Sequence, residues 1–115
     1  MSLLQISQFN ENNPVTVFHL HERITLDNFA ELEKITKDAY NGGMRRLVID
    51  LSDAPSLTSI GVRAIVVIHK ILASNNGNPL KIAGAYPSVR EVLQIAGITQ
   101  FIELYNTIDE AVASF

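Results

Sequence analysis

Residues 47–65 read Leu47-Val48-Ile49-Asp50-Leu51-Ser52-Asp53-Ala54-Pro55-Ser56-Leu57-Thr58-Ser59-Ile60-Gly61-Val62-Arg63-Ala64-Ile65. The opening run, with Arg45 and Arg46 before it, is too continuously apolar for a half-exposed strand, so it predicts a central strand covered on both faces. A polar loop over residues 52–58 follows, then a helix from about Ser59 to Ser74. Thr58 and Ser59 stand where loop becomes helix. Either hydroxyl suits the N-cap, where a side-chain oxygen takes a backbone N–H of the first turn.

The flanking segments repeat the alternation of strand and helix. Upstream, Val15-Thr16-Val17-Phe18-His19-Leu20 is β-branched and aromatic, with Asn12-Asn13-Pro14 in front, and residues 3–9 form its hairpin partner. After Thr25 the apolar positions Phe29, Leu32, Ile35/Thr36 and Ala39 recur at helical spacing. Thr25 or Asp27 is placed to cap that helix, and Gly42-Gly43 to end it. Downstream, Asn75-Asn76-Gly77-Asn78-Pro79 stops the second helix, and residues 80–85 form another strand. Pro87 suits the first turn of a third helix with Val89, Val92, Leu93 and Ala96 on one face. Gly97 stands at its left-handed C′ position, with Ile98 placed to touch Leu93. Residues 101–105 form a last strand, and Thr107 to Glu110 spell a capping box before Ile108, Ala111, Val112 and Phe115. The order is β-β-α-β-α-β-α-β-α. Successive crossovers of this kind give a mixed, mostly parallel sheet with an N-terminal antiparallel hairpin and helices packed on it.

Composition narrows the class. The 115 residues are 47% hydrophobic and 18% charged, with a mean hydropathy of +0.17. That suits one folded domain over residues 1–115 and argues against disorder. There is no cysteine, which removes disulfides, thiolate metal sites and cysteine nucleophiles, and fits a reducing compartment. Nine Lys and Arg against twelve Asp and Glu leave a formal charge of −3, so direct binding to nucleic acid is not expected. Residues 1–10 carry no signal-peptide pattern. The apolar stretch 62–73 is broken by Arg63, His69 and Lys70 and is too short to span a bilayer. A cytoplasmic domain with no membrane insertion is the expectation.

Residues able to do chemistry are few. His19, His21 and His69 are the nitrogen ligands on offer. His19 and His21 share a strand face, but no Cys or carboxylate cluster completes a site, so neither metal nor cofactor is expected. No dinucleotide fingerprint, phosphate loop or nucleophile elbow occurs. Asp50 sits where a receiver domain carries its phosphoacceptor, yet residues 20–25 offer only Glu22 where an acidic pair would hold magnesium. On the helix after Ser59, the residues Ile60, Ala64, Ile65, Val67, Ile68, Ile71 and Leu72 cover a core face, while Arg63, Lys70 and Ser74 form a polar stripe. Val62, Val66, Ala73 and His69 fall between the two. They read either as contacts to a neighbouring helix or as an apolar strip beside Ser59 open to a partner.

The segment Thr58-Ser59-Ile60-Gly61-Val62-Arg63 resembles the loop that marks the STAS domain of anti-sigma factor antagonists. The resemblance runs over nearly the whole chain, through residues 20–32, Tyr86-Pro87-Ser88-Val89, Gly97-Ile98 and Asp109-Glu110-Ala111. It implies that Ser59 is the phosphoacceptor of a partner serine kinase, itself the anti-sigma factor. The unphosphorylated antagonist binds that partner and the phosphorylated form lets go. Thr25, Thr58, Ile60, Gly61, Val62, Arg63 and Val66 would form the docking face. Thr25 and Thr58 stand where many members carry Asp. Those two positions support a second reading within the fold, a phosphorylation-independent scaffold subunit of a signalling complex or lipid-transport ABC system. A third reading, a small enzyme with Ser59 as nucleophile, needs a histidine within reach of that hydroxyl. Whether the chain forms a weak homodimer stays open at this level.

Overall fold

The computed structural model describes residues 3–73 and 78–115. Its chain order is β1 (Leu4–Phe9), β2 (Val15–Leu20), α1 (Phe29–Asn41), β3 (Leu47–Asp50), α2 (Ser59–Leu72), β4 (Leu80–Ala83), α3 (Pro87–Ile95), a 3-10 turn (Ile98–Gln100), β5 (Glu103–Tyr105) and α4 (Ile108–Ala113). The five strands form one sheet in the order β1-β2-β3-β4-β5. The hairpin is antiparallel, with Leu4 opposite Leu20 and Phe9 opposite Val15. From β2 onward neighbours run parallel, Phe18 opposite Ile49 and Ile49 opposite Ile82. This is the mixed sheet that the periodicity predicts.

Sheet order and chain order coincide, so each crossover steps one strand over in the same direction. Crossovers of one hand then lay their helices on one face. The core bears this out. Phe18, Leu20, Leu47, Ile49, Leu51, Leu80 and Ile82 meet Leu32 of α1, Ala64, Ile65, Ile68 and Leu72 of α2, and Val89 and Leu93 of α3. The opposite strand faces, Val15, Val17, Val48 and Ala83, pack under Ala111 and Val112 of α4. All four residues of β3 are buried, which is why its sequence reads as continuous apolar chain rather than an alternation.

Several local expectations need correction. The cap of α1 is Asn28, and its side chain takes no hydrogen bond from the helix. Thr25 caps instead the turn before the helix, its hydroxyl accepting from the Asp27 N–H at 3.2 Å. Its own N–H donates to Asn28 Oδ1 at 2.8 Å. The last strand begins at Glu103, not Phe101, because Gly97 turns left-handed with φ of +79° and winds residues 98–100 into the 3-10 turn. Ala96 is exposed rather than on the apolar face of α3, whose buried residues are Val89 and Leu93. Glu110 completes only half of a capping box. Its N–H donates to Thr107 Oγ1, while its carboxylate takes the Thr107 hydroxyl proton. Ser74, Asn75, Asn76 and Gly77 lie outside the described residues.

Candidate functional site

The segment after β2 and the loop after β3 run side by side, because the parallel register sets His19 beside Asp50. Four side-chain bonds stitch them. His19 Nδ1 donates to Asp50 Oδ2 at 3.0 Å, and His21 Nδ1 donates to Asp53 Oδ2 at 3.0 Å. Arg23 Nη2 donates to Ser56 Oγ at 2.9 Å. Thr58 Oγ1 donates to the Ile24 carbonyl at 2.7 Å. The two strand-face histidines therefore serve separate aspartates rather than one shared ligand.

At the end of this ladder the loop becomes α2. Thr58 is the N-cap, and its oxygen accepts from the Gly61 N–H at 3.0 Å while its proton goes to Ile24. Both capacities of that hydroxyl are used. Ser59 is thereby freed from capping. It is the first helical residue, exposed, and its hydroxyl has no partner among the described residues. The backbone N–H groups of the first helical turn and the helix dipole favour an anion at that position. No acidic residue stands in the first turn of α2.

The predicted docking residues separate into two groups. Thr25 is half-buried and follows Ile24, so the Thr58 bond brings its backbone near Thr58, the residue before Ser59. Arg63 is exposed, four residues beyond Ser59 and so on the same helix face, its guanidinium 5.9 Å from the centre of the Phe29 ring. Ile60, Val62 and Val66 are half-buried and lean on the main core, leaving only part of their surface open. Gly61 is buried. A Cβ there would stand 2.6 Å from Leu57 Cδ1, so the glycine lets the loop close over the helix. Leu26, absent from the sequence reading, is 80% exposed next to Thr25. Its only sequence signal is an apolar residue between Thr25 and Asp27.

No histidine serves Ser59. His19 and His21 are bonded in the ladder, and His69 lies toward the far end of α2 against Phe101, ring centroids 4.8 Å apart. Its Nδ1 is buried without a partner among the described residues. A Ser59 nucleophile lacks the base that it requires. Among the described residues no group of three His, Cys, Asp or Glu side chains could hold a metal. No helix among them is long and apolar enough to cross a membrane.

The comparisons with known proteins agree in kind. The family model of the STAS domain matches residues 7–111. A protein of Bordetella bronchiseptica named as an anti-sigma factor antagonist, BtrV, is 31% identical over 88 residues, covering 76% of this chain and 75% of its own. The crystal structure of an anti-sigma factor antagonist from Thermotoga maritima superposes with a TM-score of 0.85 at 22% identity, covering 96% of this chain and 92% of that one. The Bacillus cell fate determinant SpoIIAA, in its phosphorylated form, superposes with a TM-score of 0.73 at 16% identity, over 96% and 97% of the two chains.

Proposed function

The chain belongs to the STAS domain family, and from that footing we propose that it is an anti-sigma factor antagonist switched by phosphorylation of Ser59. It docks a kinase-type anti-sigma factor through the Ser59 turn, with Thr25, Thr58, Ile60, Gly61, Val62, Arg63 and Val66 forming or shaping the contact. The names of its relatives support the antagonist class. The observation that carries the switch is the division of labour between adjacent hydroxyls. Thr58 spends both of its hydrogen-bonding capacities on structure, and Ser59, exposed beside it, spends none.

The consequence is electrostatic. A phosphate on Ser59 adds about −1.5 to −2 charge and three acceptor oxygens. The helix N-terminus accommodates it, so the fold survives. Arg63, one helical turn on, then pairs with the phosphate and is withdrawn from an acidic group on the partner. The partner loses an attraction and gains a charge to desolvate, and lets go. No catalysis by this chain is part of the proposal, nor any cofactor or direct nucleic-acid contact. The setting is cytoplasmic.

The alternative, a phosphorylation-independent scaffold subunit, draws on Thr25 and Thr58. Their side chains serve structure, and they bring no carboxylate to the Ser59 hydroxyl. Capture from native lysate with wild type and Ser59→Asp, followed by intact mass, separates the two. The switch predicts a kinase-like partner held by wild type and lost by the variant, with phosphate on Ser59. A transporter ATPase or a second STAS protein held equally by both forms would overturn it in favour of the scaffold.

A further inference from the structure

On the sheet face that carries α4, three side chains from three adjacent strands stand in hydrogen-bonded sequence. Ser7 Oγ lies 3.0 Å from His19 Nε2, and His19 Nδ1 lies 3.0 Å from Asp50 Oδ2. The chemistry of the acceptor fixes the proton positions. An ionised carboxylate accepts only, so a neutral His19 carries its proton on Nδ1 and presents the Nε2 lone pair to the Ser7 hydroxyl. Asp50 is 7% exposed and held from its other side. The Ser52 N–H donates to its Oδ1 at 3.0 Å and the Ser52 hydroxyl to its Oδ2 at 3.1 Å. Gly84 leaves it room, since a Cβ there would stand 3.1 Å from Oδ1.

These are the relations of nucleophile, base and orienting group in acyl transfer, recognised by geometry rather than by chain order. Oxyanion donors are at hand as well. The Leu3 carbonyl accepts from the His21 N–H at 2.9 Å, and pairing alternates along an antiparallel ladder. The N–H groups of Ile6 and Gln8, on either side of Ser7, therefore turn to the open outer edge of β1. We propose that Ser7 is an activated nucleophile that takes an acyl group from small activated esters, with His19 as its base and Asp50 as the positioning residue. Ser7 is half-buried on the outermost strand, so the site admits short acyl groups and gives little selectivity among leaving groups.

The step balances without a further reagent. Ser7 Oγ bonds to the carbonyl carbon, and the bond from that carbon to the departing oxygen breaks. The serine proton passes to His19 Nε2 and from there to the departing oxygen. Water, deprotonated by the same nitrogen, then returns acid and free serine.

The test uses 4-nitrophenyl acetate on the whole chain, with the acetylated position mapped by peptide mass. The proposal predicts acetyl on Ser7 in preference to Ser59, within the same molecules. It also predicts a labelling rate that falls about a hundredfold in His19→Gln, the scale of general-base assistance. Acetyl confined to lysines, Ser7 labelled no faster than Ser59, or equal Ser7 labelling in wild type and folded His19→Gln would overturn it. The Ser7-to-Ser59 comparison needs no variant, so a His19→Gln chain that fails to fold leaves the test intact.

Discussion

Thr58 makes two hydrogen bonds through its one hydroxyl, accepting from Gly61 and donating to Ile24. Thr58→Ala removes a helix cap, worth about 1 kcal/mol, and leaves the Ile24 carbonyl without its side-chain donor. The expected loss is roughly 2 kcal/mol, read as a lower midpoint in urea unfolding at constant slope, with Thr58→Ser recovering most of it. Ser59 behaves oppositely. Its side chain touches nothing that the fold needs, so Ser59→Ala stays within about 0.5 kcal/mol of wild type in the same experiment. A large loss from Ser59→Ala would mean that it, and not Thr58, caps the helix. Gly84 tests a third kind of dependence. Its φ is +70° and a Cβ would press on Asp50 and Ser52, so Gly84→Ala costs more than about 1 kcal/mol, visible as a lowered melting temperature.

The ladder between residues 19–24 and 50–58 belongs to the scale of elements. Its rungs are separated along the chain by 31, 32, 33 and 34 residues, and the first interval is the β2–β3 register itself. Each rung is a single exposed or half-buried bond, worth little alone. Together they hold the loop that delivers Ser59. Arg23→Ala combined with Asp53→Asn should leave the global unfolding midpoint nearly unchanged while speeding hydrogen exchange of the amides in residues 52–58 several-fold. Unchanged exchange there would remove the ladder from the account. The same rungs mark what a sequence can and cannot disclose. The apolar run in β3, the stripe of α1, the Pro87 start and the Gly97 turn are local signals, and the elements formed where those signals lie. The cap of α2 was legible only as a choice between Thr58 and Ser59, because both are good caps and only the Ile24 carbonyl, a tertiary neighbour, selects between them. His19 and His21 showed as a pair on one strand face, but their aspartates come from another strand and its loop. No local pattern announces such partners.

For the molecule as a whole, three helices cover one sheet face and a single short helix the other. The Ser59 turn opens beyond the end of β3, the central strand, on the side carrying α1, α2 and α3. The Ser7, His19 and Asp50 row occupies the opposite face. Ser59 itself is exposed at the start of α2, so a change there leaves the buried core untouched, and a binding switch need not be a folding switch. The most direct test of that claim is the dissociation constant of the captured anti-sigma factor for this chain, unmodified and carrying phosphate on Ser59, with thermal unfolding of both forms alongside. The account predicts affinity weakened at least tenfold at a melting temperature essentially unchanged. Equal affinity of the two forms, or loss of binding that accompanies loss of the fold, would contradict it.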